Sequence, residues 1–103
     1  MVLVYITCKD KEEARRISKH LLEKRLIACS NMFPISSMYW WKGKIEEGNE
    51  VVILAKTTDK GYDKVRKEVK KMHSYDVPAI LKIYAEADED YEKWVGEELG
   101  SND

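Results

Sequence analysis

Apolar positions along the chain alternate between two spacings, and the switches mark out its elements. Residues 2–7 are a short, mostly apolar run suited to a central strand covered on at least one face. Asp10 then opens a helix, with Glu13 three residues on completing a capping-box-like pair. Ala14, Ile17, Leu21 and Leu22 follow at helical spacing, with Ser18 in the same stripe and Leu26 extending it, so this helix lies on a sheet. Residues 27–32 read as a second strand, and Pro34 beyond it suits an edge strand or a bend. Tyr39, Trp40 and Trp41 before Gly43, and the β-branched run at 51–55, read as two arms of a hairpin. Glu47-Gly48-Asn49 is the expected turn between the arms and Gly43 the expected bulge. Thr58 or Asp59 caps a second helix with the stripe Tyr62, Val65, Val69 and Met72, and Lys70, Lys71 and His73 sit at its negative end. Pro78 makes 75–78 a connector, and 79–85 is a strand. Asp88 caps a last helix whose stripe is Tyr91, Trp94, Val95 and Leu99, and 100–103 is an expected frayed tail.

The order is βαββαβ plus a terminal helix, which predicts an α+β, ferredoxin-like fold with an antiparallel sheet and helices on one face. The other face is left to be covered by something else. Neighbouring strand residues point to opposite faces, so Trp40 and Trp41 cannot share one core. Burying each is worth up to about 4–6 kcal/mol. A first arm from near Ser36 to Glu46 spans on the order of 35 Å, against a radius of gyration near 13 Å expected for a domain of this size. A two-faced aromatic hairpin projecting that far needs a partner, and another copy of the chain is the simplest one.

Composition narrows the class. With 103 residues, 44% of them hydrophobic, the whole chain 1–103 is expected to be one domain. Lys and Arg (18) nearly balance Asp and Glu (19), so charge offers no argument for nucleic acid or an anionic membrane as partner. The first residues read as a strand rather than a signal peptide, and no apolar run approaches a membrane span. The expected location is therefore cytoplasmic, where the two cysteines are free thiols.

Four segments then carry a resemblance in register: Arg25-Leu26-Ile27-Ala28-Cys29-Ser30-Asn31; Tyr39-Trp40-Trp41-x-Gly43-Lys44-Ile45-Glu46-Glu47-x-x-Glu50; Lys56-Thr57; and His73-x-Tyr75-Asp76-Val77-Pro78. Together they closely resemble the CutA divalent-cation-tolerance family, from Val2 to about Leu99. The resemblance implies a cytoplasmic homotrimer, assembled like the PII signalling proteins, in which the long hairpins pair between subunits. It also implies tolerance to divalent metals, copper above all. Family members associated with copper carry a cysteine in the first strand and two histidines before the tyrosine. Here Ile6 stands at about that cysteine's place, Cys8 lies two residues on, Met72 replaces the first histidine and Ser74 a usual proline. His73 and Cys29 carry over directly.

The candidate metal ligands are thus His73, Cys29 and Cys8, for a divalent ion with copper foremost. Cu(I) prefers Cys and Met, whereas imidazole suits Cu(II) or Zn. No CxxC, HxxxH or HExxH spacing adds a local signature. Cys8 and Cys29 are expected on the order of 20 Å apart within one subunit, which excludes a shared ion or disulfide there. On its own terms Cys29 reads as a small buried core residue. His73 sits at a helix end beside Tyr75 and Asp76, where a carboxylate can orient an imidazole. His20 reads as solvated surface. Trp40, Trp41, Glu47, Glu50, Lys56 and Tyr75 form the candidate set for an intersubunit cleft that takes a small molecule or a protein. Enzymes on this fold fit poorly. Thr7-Cys8-Lys9-Asp10 has neither the arginine nor the glycine of an anion-cradling loop, and 51–55 has no aromatic to stack on RNA. Two readings stand: a metal-tolerance trimer that binds divalent ions, and a PII-like binding or signalling trimer.

Overall fold

In the computed structural model, which describes residues 1–100, the chain runs β1 (Val2–Cys8), α1 (Lys11–Glu23), β2 (Cys29–Trp41), β3 (Lys44–Thr57), α2 (Tyr62–Met72), β4 (Ile80–Tyr84) and α3 (Glu89–Glu98). The four strands pair antiparallel throughout, in the order β2-β3-β1-β4. This is the expected split-βαβ plan.

The alternation in β1 sets the two faces of the sheet. Val2, Val4, Ile6 and Cys8 are fully buried and pack with Ala14, Ile17 and Leu21 of α1 and Val65 and Val69 of α2. Leu3, Tyr5 and Thr7 point to the opposite face and are half-buried. On that face Phe33 and Ile83 are about 40% exposed (39% and 40%) and Leu81 is 51% exposed, a contiguous apolar surface rather than scattered residues. Tyr91 meets Cys29 at the lower end of this face, so α3 covers part of it and leaves the rest bare.

Asp10 caps α1 as expected, accepting from Glu13 N at 2.8 Å. The capping of α2 departs from expectation. Its N-cap is Gly61, whose N–H is held by the carbonyl and hydroxyl of Thr58, while Asp59 pairs with Lys82 and with Tyr84 Oη. A Cβ at Gly61 would lie 2.7 Å from Thr57 Oγ1, so only glycine lets the chain turn this tightly. Asp88 caps α3, but its stripe is narrower than expected: Val95 is buried, whereas Trp94 is 40% exposed. His20 lies at the surface with its side chain 32% exposed, and its Nε2 lies 2.9 Å from Glu68 on α2. The expected tail at 101–103 lies outside the described residues, and Gly100 N donates to Arg25 O.

The hairpin is longer and turns elsewhere than its glycines suggest. β2 runs unbroken through Pro34, which an edge strand with one neighbour tolerates. The reversal comes at Lys42-Gly43, both at positive φ (50° and 78°), the signature of a two-residue type I′ turn. Gly43 is therefore the turn and not a bulge, and Gly48 is an ordinary strand residue opposite Ser37. The twist of two long strands demands primed-turn geometry, and Gly43 supplies it at the register that pairs Trp41 with Lys44. β1 stops opposite Val51, so residues 44–50 of β3 pair with β2 alone and the hairpin projects from the body. The longest dimension is 44 Å, against 26 and 21 Å across. Trp40 and Trp41 remain 72% and 43% exposed on it.

Lys42 holds a left-handed conformation that costs a side-chain-bearing residue about 1 kcal/mol. Lys42→Asn, a residue that tolerates this region, is expected to raise the thermal midpoint, and Gly43→Val to lower it by a larger amount. Equal midpoints for the two variants would contradict the turn as described.

Candidate functional site

A concave surface lies under the hairpin, a groove of about 940 Å³ on the helix-free side. Its floor is Tyr5 and Thr7 of β1 and Glu50 of β3, one wall is the inner length of β2 from Ile35 to Trp41, and the other is the loop after α2. Tyr75 crosses the floor, and its hydroxyl donates to Glu50 Oε2 at 2.7 Å. Burial, with the Glu50 carboxylate beside it, pushes the Tyr75 phenol well above its ordinary range, so it stays a donor at any working pH.

A second cluster holds that loop in place from behind. Glu13 is 2% exposed, and its carboxylate accepts from Lys9 N at 3.0 Å and from Ser74 N at 2.9 Å. His73 follows the last turn of α2. Its Nε2 lies 2.7 Å from Thr7 O, and its Nδ1 accepts from Tyr75 N at 3.0 Å, which defines the Nε2–H tautomer. The partners that orient the imidazole are therefore backbone groups rather than the Asp76 carboxylate. Burial disfavours ionised Glu13, but the donated hydrogen bonds of Lys9 and Ser74 outweigh it and leave the carboxyl below its ordinary value. Cys8 is fully buried alongside, its thiol pushed up to about 12 by burial and by the carboxylates of Glu13 and Glu50.

The nine candidate residues thus separate into four places. Cys8 and His73 come together with Glu13, their ligand atoms all within 4.8 Å of one another. Trp40, Trp41, Glu50 and Tyr75 line the groove. Cys29 and Lys56 lie together at the far end of the sheet. Cys29 is half-buried there rather than in the core, 3.9 Å from Lys56 Nζ, which also hydrogen-bonds Asn31. Cys8 faces Val51 and Cys29 faces Lys56 across β3, so at about 3.3 Å per residue they are separated by about 17 Å along the strand alone. Glu47 pairs with Met38 on the exposed arm and takes no part in the groove. The residue that sequence reasoning missed is Glu13. Its capping-box position announces a carboxylate near the helix start, but not the reach of that carboxylate to Ser74, 61 positions away in the chain.

A thiol, an imidazole and a carboxylate are a donor set that suits Cu(II) or Zn(II). In this arrangement both His73 nitrogens and both Glu13 oxygens already hold hydrogen bonds, so an ion at this point has to displace them.

A split-βαβ sheet with a long projecting hairpin and a groove at its base defines a class of small α+β proteins. The CutA1 divalent ion tolerance protein family matches residues 2–98. A divalent-cation tolerance protein CutA from Pyrococcus horikoshii is 44% identical over 99 residues, covering 95% of this chain and 97% of that protein. The chain belongs to the CutA divalent-cation tolerance family. The structure described as the periplasmic divalent cation tolerance protein CutA from Archaeoglobus fulgidus superimposes with a TM-score of 0.93 at 45% identity, over 97% of this chain and 100% of that one. A PII-like protein CutA from Nostoc in apo form superimposes at 0.91 with 25% identity, over 97% and 98% of the two chains. No described helix is long and apolar enough to cross a membrane.

Glu13 has a lowered carboxyl pKa in the fold, so its stabilisation is present above the unfolded value of about 4.3 and is lost as pH falls through the folded one. Glu13→Gln is expected to cost about 1.5–3 kcal/mol at neutral pH, the worth of hydrogen bonds to a charged group. The gap between the two proteins in urea unfolding should close as the pH falls below about 4. A gap independent of pH would show that the carboxylate charge is not what holds the loop.

Proposed function

We propose that this chain serves divalent-cation tolerance as a cytoplasmic homotrimer, with the groove beneath the hairpin as its working surface. The observation that carries this reading is the Tyr75–Glu50 pair, a half-buried hydrogen bond set across the floor of the groove by a loop fixed at Ser74 and Tyr75. Cavities of this size, walled by aromatic residues with a few convergent polar groups, are the usual form of a small-molecule site. The exposed hairpin and the bare side of the sheet support self-association, and a partner's hairpin would make the groove a cleft between subunits. Two free cysteines fit a reducing compartment. Near balance of charge supports neither a nucleic acid nor a membrane as partner. Binding rather than catalysis is assigned, because the one adjacent thiol and imidazole among the described residues are a high-pKa Cys8 and a fully hydrogen-bonded His73.

Sedimentation equilibrium at micromolar concentration is expected to return about three times the chain mass of 12.0 kDa. Leu81→Arg, on the bare sheet face, should lower it. In a host lacking its own relative, growth in elevated Cu(II) should be restored by the wild type but not by Glu50→Gln. A monomer, or full restoration by that variant, would end this reading.

The convergence of Cys8, Glu13 and His73 within 4.8 Å favours a second reading, in which a divalent ion, copper foremost, binds on each subunit. Calorimetric titration of the reduced protein with Cu(II) tests it. That reading expects about one ion per chain, abolished by His73→Ala or Cys8→Ser and unaffected by Cys29→Ser. No saturable heat leaves the groove alone.

A further inference from the structure

The groove is electronegative and aromatic together. Glu50 lies on its floor and Asp76 at its rim, while Tyr5, Tyr39 and Trp41 line it from the Glu50 face and, among the described residues, no Lys, Arg or His does. Resting on the groove reading above, we propose that the ligand is a small organic cation with an alkylated ammonium head, seated against the aromatic walls with Glu50 as its counter-charge.

Three cations compete for such a site, and the geometry separates them. A hard divalent ion needs six or more oxygen ligands, preferably anionic, whereas Glu50 has one oxygen left beyond its bond to Tyr75, Asp76 stands at the rim, and the remaining oxygens of the lining are neutral hydroxyls of Ser, Thr and Tyr. Guanidinium is held best by a two-pronged bond to both carboxylate oxygens, and Tyr75 Oη occupies Oε2. An alkylammonium needs only one carboxylate oxygen and ring faces to replace its weak hydration, and this groove offers both. The Trp41 ring already attracts a cation from its own chain, with Lys42 Nζ 5.8 Å from its centroid. Lys42 lies at the hairpin tip and does not line the cavity, so it competes for that ring without filling the floor.

The test uses the intact protein in its native assembly, titrated with choline at constant ionic strength and followed by tryptophan fluorescence and equilibrium dialysis. The neutral isostere 3,3-dimethylbutan-1-ol is titrated in parallel. Choline is expected to saturate, binding about tenfold more tightly than the isostere, the ratio that a cation–π contact and one counter-charge supply. Glu50→Gln should abolish that ratio. Asp76→Asn, on an exposed loop where folding is not at stake, should reduce it by about threefold. Tyr75→Phe frees the second Glu50 oxygen and should let methylguanidinium bind where the wild type excludes it. Equal binding of choline and its isostere would overturn the cation proposal while leaving the groove a ligand site. No binding of either, with the Glu50→Gln growth defect intact, would likewise reject the cation and keep the groove. No binding without that defect would reject both.

Discussion

Glu13 is a carboxylate held at 2% exposure by two backbone N–H groups from separate segments, Lys9 after β1 and Ser74 after α2. A buried carboxylate is tolerated only when its oxygens are hydrogen-bonded, so the fold must bring those N–H groups to it. Once they are in place the end of β1, the start of α1 and the loop leaving α2 form one body. His73 tightens the same junction through Thr7 O and Tyr75 N. Tyr75 is aimed across the sheet as a result, and the groove acquires its floor.

The same junction gives Cys8 its neighbours. Positions two apart on a strand share a face, so Cys8 points the same way as Ile6, one step nearer the strand end. That step sets the thiol beside Glu13 and His73, whereas a cysteine at position 6 would sit deeper under the helices, where Ile6 is fully buried. Burial first, and the Glu13 carboxylate after it, raise the Cys8 thiol to about 12. A cation arriving there has to displace both a proton and existing hydrogen bonds. The groove beyond Tyr75 asks for neither.

Much of the fold was legible in the chain. Strand and helix periods gave the element order, and the opposite directions of Trp40 and Trp41 gave a projecting hairpin with two exposed faces. Asp10 and Asp88 behaved as caps because an N-cap is a contact within four residues. The hairpin reversal was misplaced because Gly48 and Gly43 look alike locally. Pairing along the whole length of β2 and β3, not the residue type, decides which glycine turns. The α2 cap was misread for a related reason: Asp59 is a good local cap, but Lys82 and Tyr84 on β4 claim its carboxylate.

The sequence by itself determined the class of fold, the family and the chemistry available, because hydrophobic period, turn residues and motif spacing are all local. Only the tertiary structure decided which of those groups meet. It paired Cys8 and His73 with the unforeseen Glu13, joined Tyr75 to Glu50, and removed Cys29 and Lys56 to the other end of the sheet. The physical reason is that strand register and helix crossing are properties of the whole packed sheet. Residues 61 apart, such as Glu13 and Ser74, become neighbours only when every layer between them has closed.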